Sequence, residues 1–445
     1  MSCCPASANI GPGVMKRLPQ VESMAELVQT PRSAHSPATS VQMPPLRAVH
    51  SALRNTTEIL AHELAQPTQT TPNWSAFEWQ VAQAVCAMHG VSAILSGTLL
   101  WQGPAEWTQF LRDQRAQTAR RYERISELLN LIDHQARIED ICLVALKGAE
   151  LHSLGLYAPG ERPMADVDLL VRAKDGARAG RALESLGFQQ SLSIPRHRVY
   201  VRDAHRKPSS LGEHGDNYLK IELHERIAEV LPLRVADITD LIHPSEPRGG
   251  LNAYPSKAAL MTHLLLHAAG AMTIRNLRLI HLNDLARLSA NMTAADWDLV
   301  LQPGRAGQDR WWALPPLLQT ARYYTGVIPE RVLATLSASC PRLLSWLSGR
   351  RTLSDVSLSH LWVDPFPAIG WSHSPAEILR YSAKRLWPDK TLLELRQQLL
   401  KTEVSWSDSK WHHSSQARRL LRWIVSRPPR AETMHTLQAA LSRVA

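Results

Sequence analysis

The chain has 445 residues, of which 44% are hydrophobic and 20% charged, and a formal net charge of +10. This length exceeds one small core and points to two or three domains or subdomains, with the composition of a soluble globular protein rather than a fibrous or low-complexity one. The basic balance suits an anionic ligand such as a nucleoside triphosphate or nucleic acid, and plain solubility explains it equally.

The first 50 residues read as an unstructured tail, since Pro, Ser, Thr and Gln dominate around Pro31 to Pro45. From residue 55 to 140 the pattern is helical, with apolar residues three and four apart in Phe77-Val81-Val85 and Ile125-Leu128-Leu129-Ile132. Pro104 reads as a break, and Trp107 to Arg137 as one long amphipathic helix rich in Arg and Gln. Residues 55–140 are expected to form a helical subdomain. At Ile141 the character changes. Ile141 to Leu146 is an apolar run that reads as a buried strand, closed by Lys147-Gly148. Ala149 to Leu156 follows as a helix, Tyr157 to Pro163 as a loop and Asp166 to Val171 as a second strand. Ala173 to Leu186 reads as a helix capped at Gly187. Val199-Tyr200-Val201 and Leu219 to Ile227 are further strands. Residues 141–230 are therefore a small α/β unit of roughly 90 residues, within the usual domain range. Residues 250–445 form a mainly helical region, opened by a helix capped at Ser256 and punctuated by Pro315, Pro329, Pro341 and Pro388.

The five cysteines, Cys3, Cys4, Cys86, Cys142 and Cys340, are odd in number and scattered, which argues against a disulfide framework and for reduced, cytoplasmic thiols. No basic start followed by an apolar run marks a signal peptide, and no apolar stretch is long enough to span a bilayer. The paired Trp311 and Trp312 read as core.

The informative stretch is Arg162 to Val171. In a strand, residues two apart share a face, so Asp166 and Asp168 project together while Val167 and Leu169 face a core. Two carboxylates on one face repel unless a cation sits between them, and magnesium, which prefers oxygen ligands and keeps phosphate in its shell, suits them. A solvated edge strand with two chance acids is the competing explanation; the poor strand propensity of Asp counts against it. Lys147-Gly148 adds a strand-to-helix turn whose free N–H groups can bind phosphate, with Lys147 as a point charge and Gly148 allowing close approach. Glu222, on the same face as His224 by alternation, is the best third carboxylate, able to ligate metal or take a proton from an acceptor hydroxyl. Glu225, on the opposite face, is the second choice and Asp216 a weaker one. His224 is expected to pack rather than to orient a phosphate.

Leu146-Lys147-Gly148-Ala149-Glu150-Leu151, Arg162 to Val171 and Glu222-Leu223-His224 together resemble the DNA polymerase beta nucleotidyltransferase superfamily, and within it the branch of uncharacterised bacterial nucleotidyltransferases. The likeness covers Ile141 to Ile227, with a weaker match at His263 to Leu288. Lys-Gly stands where many superfamily members have Gly-Ser, as in that branch. The resemblance implies an α+β fold: a small nucleotidyltransferase α/β core with a mixed sheet, flanked by N- and C-terminal helical regions. It implies two-metal transfer of a nucleoside monophosphate from a triphosphate to a hydroxyl on a small molecule, sugar or protein. Asp166, Asp168 and Glu222 would hold two Mg2+ ions, with Mn2+ as a substitute, and Lys147, the Gly148 backbone and Arg162 would steady the phosphates.

Other signals are weaker. His263 and His267, four apart, have zinc-like spacing but no intervening Glu in the metalloprotease sense, and are expected to pack. Arg275, Arg278 and Asp284 suit either nucleotide contacts or helix-face salt bridges. The basic run Arg418-Arg419-Leu420-Leu421-Arg422 fits a solvated helix face better than a nucleic-acid or membrane surface. Two alternative functions stand beside transfer to a compact acceptor: an inactive nucleotide-binding regulatory module, and an enzyme extending an RNA end. The latter would want stacking aromatics near the site, where only Tyr157 and Phe188 are close in sequence.

Overall fold

The computed structural model describes residues 43–194, 197–202, 211–304, 309–388 and 415–442. The expected tail therefore lies largely outside the described residues. Its last part is a correction: helix α1 (Leu46–Ala65) begins directly after Pro45. Val49, Leu53, Leu60 and Leu64 line its buried face, an apolar period that the preceding proline-rich composition masks. Helices α2 (Ala76–His89) and α3 (Ser92–Thr98) follow. Ser75 opens α2 with a capping box to Glu78, and Gly90 closes it in the left-handed conformation. The long helix expected after Pro104 is α4 (Ala105–Ile138).

The α/β core then unfolds in chain order as β1 (Cys142–Ala145), α5 (Gly148–Ser153), β2 (Val167–Val171), α6 (Gly176–Ser185), β3 (Gln189–Ser193), β4 (His197–Val201) and β5 (Lys220–His224). The single strand expected from Leu219 to Ile227 ends at His224, and a separate hairpin of β6 (Ala228–Leu231) and β7 (Arg234–Asp237) follows. After α7 (Thr239–Ile242), the short β8 (Gly250–Asn252) pairs in parallel with β1. The six-stranded sheet has the order β3-β4-β5-β2-β1-β8 and mixes parallel and antiparallel pairs. The fold class is α+β, as expected.

Helices α8 (Lys257–Thr273), α9 (Leu279–Ser289), α10 (Ala294–Leu301), α11 (Leu314–Tyr323), α12 (Glu330–Ser339), α13 (Arg342–Arg350), α14 (Leu353–Val356), α15 (Pro375–Leu386), α16 (Gln416–Ser426) and α17 (Ala431–Leu441) make up the rest. Ser256 caps α8 through the Ala259 amide, as its sequence suggests. The helices before and after the sheet share one hydrophobic core that runs from Val49 on α1 to Ala440 on α17 and takes in Trp107, Trp297 and Trp311. A second cluster, including Ile125, Ile132, Leu169, Phe188 and Leu223, seals the sheet against α4 and α6. No single helix among the described residues is long and apolar enough to cross a membrane. On α16, Leu421, Ile424 and Val425 are exposed, so the face expected to be a plain solvated one carries apolar side chains beside its arginines.

His89, fully buried at the end of α2, ties the helical layers together. Its Nδ1 accepts from the Leu279 amide (2.9 Å) and its Nε2 lies 2.9 Å from Ser359 Oγ, so the ring sits neutral between α2 and α9. Burial, with Arg278 nearby, lowers its pKa to about 3. Because the folded value lies below the unfolded one near 6.5, the unfolded chain takes up a proton that the folded chain refuses. Stability from this group is present above pH 6.5 and is lost as pH falls from there toward 3, by about 1.4 kcal/mol per pH unit. Urea midpoints at pH 7 and pH 5 are expected to show the fall, and His89→Gln to flatten the slope by one proton.

Candidate active site

Strands β2 and β5 run parallel with Asp168 directly opposite Glu222. Asp168 points out of a strand whose five residues are all buried and is only 7% exposed itself. Asp166 sits in the bend just before β2 rather than in the strand, a one-residue correction to the expected start at 166. The bend has a cause in α4. Arg121, 3% exposed, donates from Nε to the Met164 carbonyl (2.7 Å) and from Nη2 to the Ala165 carbonyl (2.6 Å). Its Nη1 reaches the Asn217 carbonyl (3.0 Å) on the approach to β5. One guanidinium therefore fastens the two backbone segments that deliver the acids. One turn back, Gln114 and Gln117 accept from the amides of Glu213 and Gly215 (2.8 and 2.7 Å).

The acids converge. Lys220 Nζ lies 3.2 Å from Asp166 Oδ2 and 2.7 Å from Glu222 Oε1. Lys147 Nζ lies 2.9 Å from Asp168 Oδ2, and His224 Nε2 lies 3.0 Å from Asp168 Oδ1. Burial alone would push the Asp168 carboxyl up, yet Lys147 and His224 beside it hold it well below the usual carboxylate range. Burial would likewise lower the Lys147 ammonium, and Asp168 and Asp166 outweigh it and keep it above its ordinary value. Lys220 behaves the same way between Asp166 and Glu222. His224, expected to pack, thus holds a carboxylate. Glu225 points away from this cluster to Arg198, and Asp216 is exposed beside His214.

Lys147 has φ 48 and ψ −109, a strained backbone for a residue with a side chain. Its amide donates to the Tyr254 hydroxyl (3.2 Å), which itself lies 2.7 Å from His263 Nδ1. Arg162 makes a buried bidentate pair with Asp284 on α9 (2.8 and 2.7 Å). Its guanidinium lies against Gly148, where an added Cβ would collide with it. Gly148→Ala is accordingly expected to dislodge Arg162 and to cost about 1–3 kcal/mol in chemical denaturation.

Lys147, Gly148, Arg162, Asp166, Asp168 and Glu222 all line one cleft of about 310 Å³, roofed by His267 of α8 and by Arg278, His281 and Asp284. The three residues whose roles the sequence leaves open separate here. Arg275 turns away to Asp364, Asp284 takes Arg162, and Arg278 faces the cleft, where its buried Nε has no hydrogen-bond partner among the described residues. Burial lowers the Arg278 guanidinium, with Glu213 the nearest compensating charge. Burial also pushes His267 and His281 well below ordinary histidine values, so both roof rings stay neutral. His263 and His267 do not act as a pair: the first meets Tyr254, the second stacks edge-on against His281. Arg121 and His197 have no signal in the sequence pattern. The first works through backbone carbonyls, and the second joins the site only because β4 pairs with β5.

The mixed sheet thus gathers three carboxylates at the floor of a charged cleft, under a helical roof. A family model described as uncharacterised nucleotidyltransferase matches residues 75–312, more than half of the chain, and the protein is a member of that family. No curated protein and no solved structure matches the chain.

Proposed function

We propose that the protein transfers a nucleoside monophosphate from a triphosphate to a hydroxyl acceptor, with Asp166, Asp168 and Glu222 as the metal-binding and catalytic carboxylates. The observation that carries this proposal is their convergence, with Asp168 opposite Glu222 and one lysine spanning Asp166 and Glu222. Lys220 bridges Asp166 to Glu222, and Lys147 and His224 clamp Asp168. The lysines stand where a divalent cation would neutralise these oxygens, and Mg2+, with Mn2+ as a substitute, would take their place. When bound, two such ions would neutralise the triphosphate and acidify the acceptor hydroxyl.

The chain's own groups do the rest. Lys147, paired with Asp168 here, would be free to hold a phosphate oxygen if a metal ion engaged that carboxylate. The Gly148 backbone and the Nη1 edge of Arg162 border the same space, with Asp284 locking the Arg162 fork in place. Glu222 accepts the proton of the acceptor hydroxyl. Arg278 binds an anionic group of the substrate, which gives its Nε the partner it lacks among the described residues. A charged hydrogen bond of this kind contributes about 1.5–3 kcal/mol. Arg278→Ala is therefore expected to weaken triphosphate binding by roughly 10- to 150-fold in calorimetric titration, with the melting curve preserved.

The acceptor is a compact one. A second hollow of about 150 Å³ adjoins the cleft, shares Pro163, Glu213 and Arg278 with it, and is edged by Gly90, Ser92 and Thr118. A small polar hydroxyl compound or a single side chain fits such a volume better than a polynucleotide track. Pyrophosphate release from the four nucleoside triphosphates, measured with and without magnesium and with cell extract as acceptor source, tests the proposal. Magnesium-dependent release with one triphosphate is expected. Tight binding without release under any condition would favour the regulatory module instead, and steeply salt-dependent acceptor binding would favour an RNA end.

A further inference from the structure

We infer that His197, Glu222 and His224 form a second kind of metal site, one that binds a transition-metal ion through two imidazoles and a carboxylate. His197 begins β4, opposite His224 on β5, and Glu222 lies two residues along the same strand. One donor atom from each of the three falls within 4.8 Å of the others. His197 Nε2 is 3.5 Å from Glu222 Oε2, and His224 Nε2 is 3.7 Å from the same oxygen.

These separations are too long for N–H···O hydrogen bonds, which fall at roughly 2.7–3.2 Å. They lie a few tenths of an ångström beyond the edge of a tetrahedron around a zinc ion, which for bond lengths of about 2.0–2.1 Å is about 3.3–3.4 Å, a gap that small side-chain rotations close. The imidazole rings meet at 51° with centroids 4.9 Å apart, so they are not stacked on one another, and both Nε2 atoms lie within 3.7 Å of Glu222 Oε2. Glu222 divides its labour. Oε1 is held by Lys220 at 2.7 Å, and Oε2 is the atom presented to the histidines. His224 Nε2 lies 3.0 Å from Asp168 Oδ1, so a metal ion would replace the proton of that contact, with Asp168 Oδ1 bordering the remaining side. The lysine bridge and the histidine pair therefore use different oxygens.

Two histidines with one carboxylate are a ligand set of zinc enzymes that keep an open coordination position, and imidazole favours zinc, iron or cobalt over magnesium. Because Glu222 is common to both sets, an ion here sits at the acceptor side of the cleft. Its catalytic meaning rests on the nucleotidyl-transfer proposal; its binding does not.

The test uses the full-length protein, stripped with chelator and titrated with Co2+ and then Zn2+, without nucleotide. One Co2+ per chain is expected, with the intense visible absorption of a four- or five-coordinate nitrogen-ligated ion, and one equivalent of Zn2+ should displace it. His197→Gln and His224→Gln are each expected to weaken binding by about tenfold or more, with loss of the absorption, while the exposed His134→Gln leaves both unchanged. Pulsed electron paramagnetic resonance of the wild type loaded with one equivalent of Cu2+, an ion that imidazole favours, supplies an independent readout that needs no variant to fold: nitrogen coupling from a bound imidazole is expected. Weak six-coordinate Co2+ bands that neither histidine variant changes, or Cu2+ without nitrogen coupling, would overturn the inference. Magnesium-dependent transfer alongside that negative result would leave the nucleotidyl-transfer proposal intact. Nitrogen-ligated metal without any transfer would do the reverse.

Discussion

Replacing Asp168 with Asn is expected to lower turnover by at least about a thousandfold, the scale on which loss of one preorganised electrostatic partner in a transition state is felt. Asn has nearly the same shape but carries no charge. It leaves Lys147, 18% exposed at its side chain, without its carboxylate, and it leaves His224 facing an amide. Breaking one partner from a buried ion pair typically costs about 3–5 kcal/mol, so the variant is also expected to melt earlier. The two effects are separable. Asp168→Asn/Lys147→Met removes the stranded ammonium and is expected to recover much of the stability and none of the turnover. Equal recovery of both would mean that Asp168 is a structural anion only.

The second large effect is expected from a residue that touches no substrate. Arg121→Ala removes donors to the carbonyls of Met164, Ala165 and Asn217 in a nearly dry setting. Each buried acceptor left unpaired costs about 1–3 kcal/mol, so a loss of at least about 3 kcal/mol in chemical denaturation is expected. The bend that carries Asp166 relaxes with it. Arg121→Lys keeps the charge but not the planar fork that reaches two strands' approaches at once, and is expected to recover little. The readout specific to positioning is the magnesium concentration needed for half-maximal turnover, which should rise in Arg121→Lys at temperatures where the fold is intact.

The parts of this molecule visible in its sequence are those set by local periodicity. Alternation along Val167-Asp168-Leu169 is enough to aim Asp168 away from the core, and the same rule puts Glu222 and His224 on one face. The register that sets Glu222 against Asp168 is a long-range fact, yet of the two strands read downstream, Val199 to Val201 and Leu219 to Ile227, only the second carries acids. The long α4 and the cap at Ser256 follow from helical spacing and cap chemistry.

What escaped has physical reasons. Arg121 bonds to backbone carbonyls 43 to 96 positions away, and a carbonyl has no residue type to betray it. Lys147 and Arg162 read as free phosphate ligands because their own acids, Asp168 and Asp284, arrive from other elements. Strand β8 has only three residues and opens on Gly250, below the length at which a period can be seen. The merging of the N- and C-terminal helices into one core is equally silent in sequence, since amphipathic faces do not name their partners.

The most direct test compares wild type with Asp166→Ala/Asp168→Ala, each incubated with magnesium and the four α-labelled nucleoside triphosphates, with and without cell extract. Label transferred by the wild type and absent from the double variant, while circular dichroism reports an intact fold in both, is the expected result. Transfer that survives loss of both aspartates, or a wild type that binds no triphosphate at all, would contradict the assignment of these carboxylates.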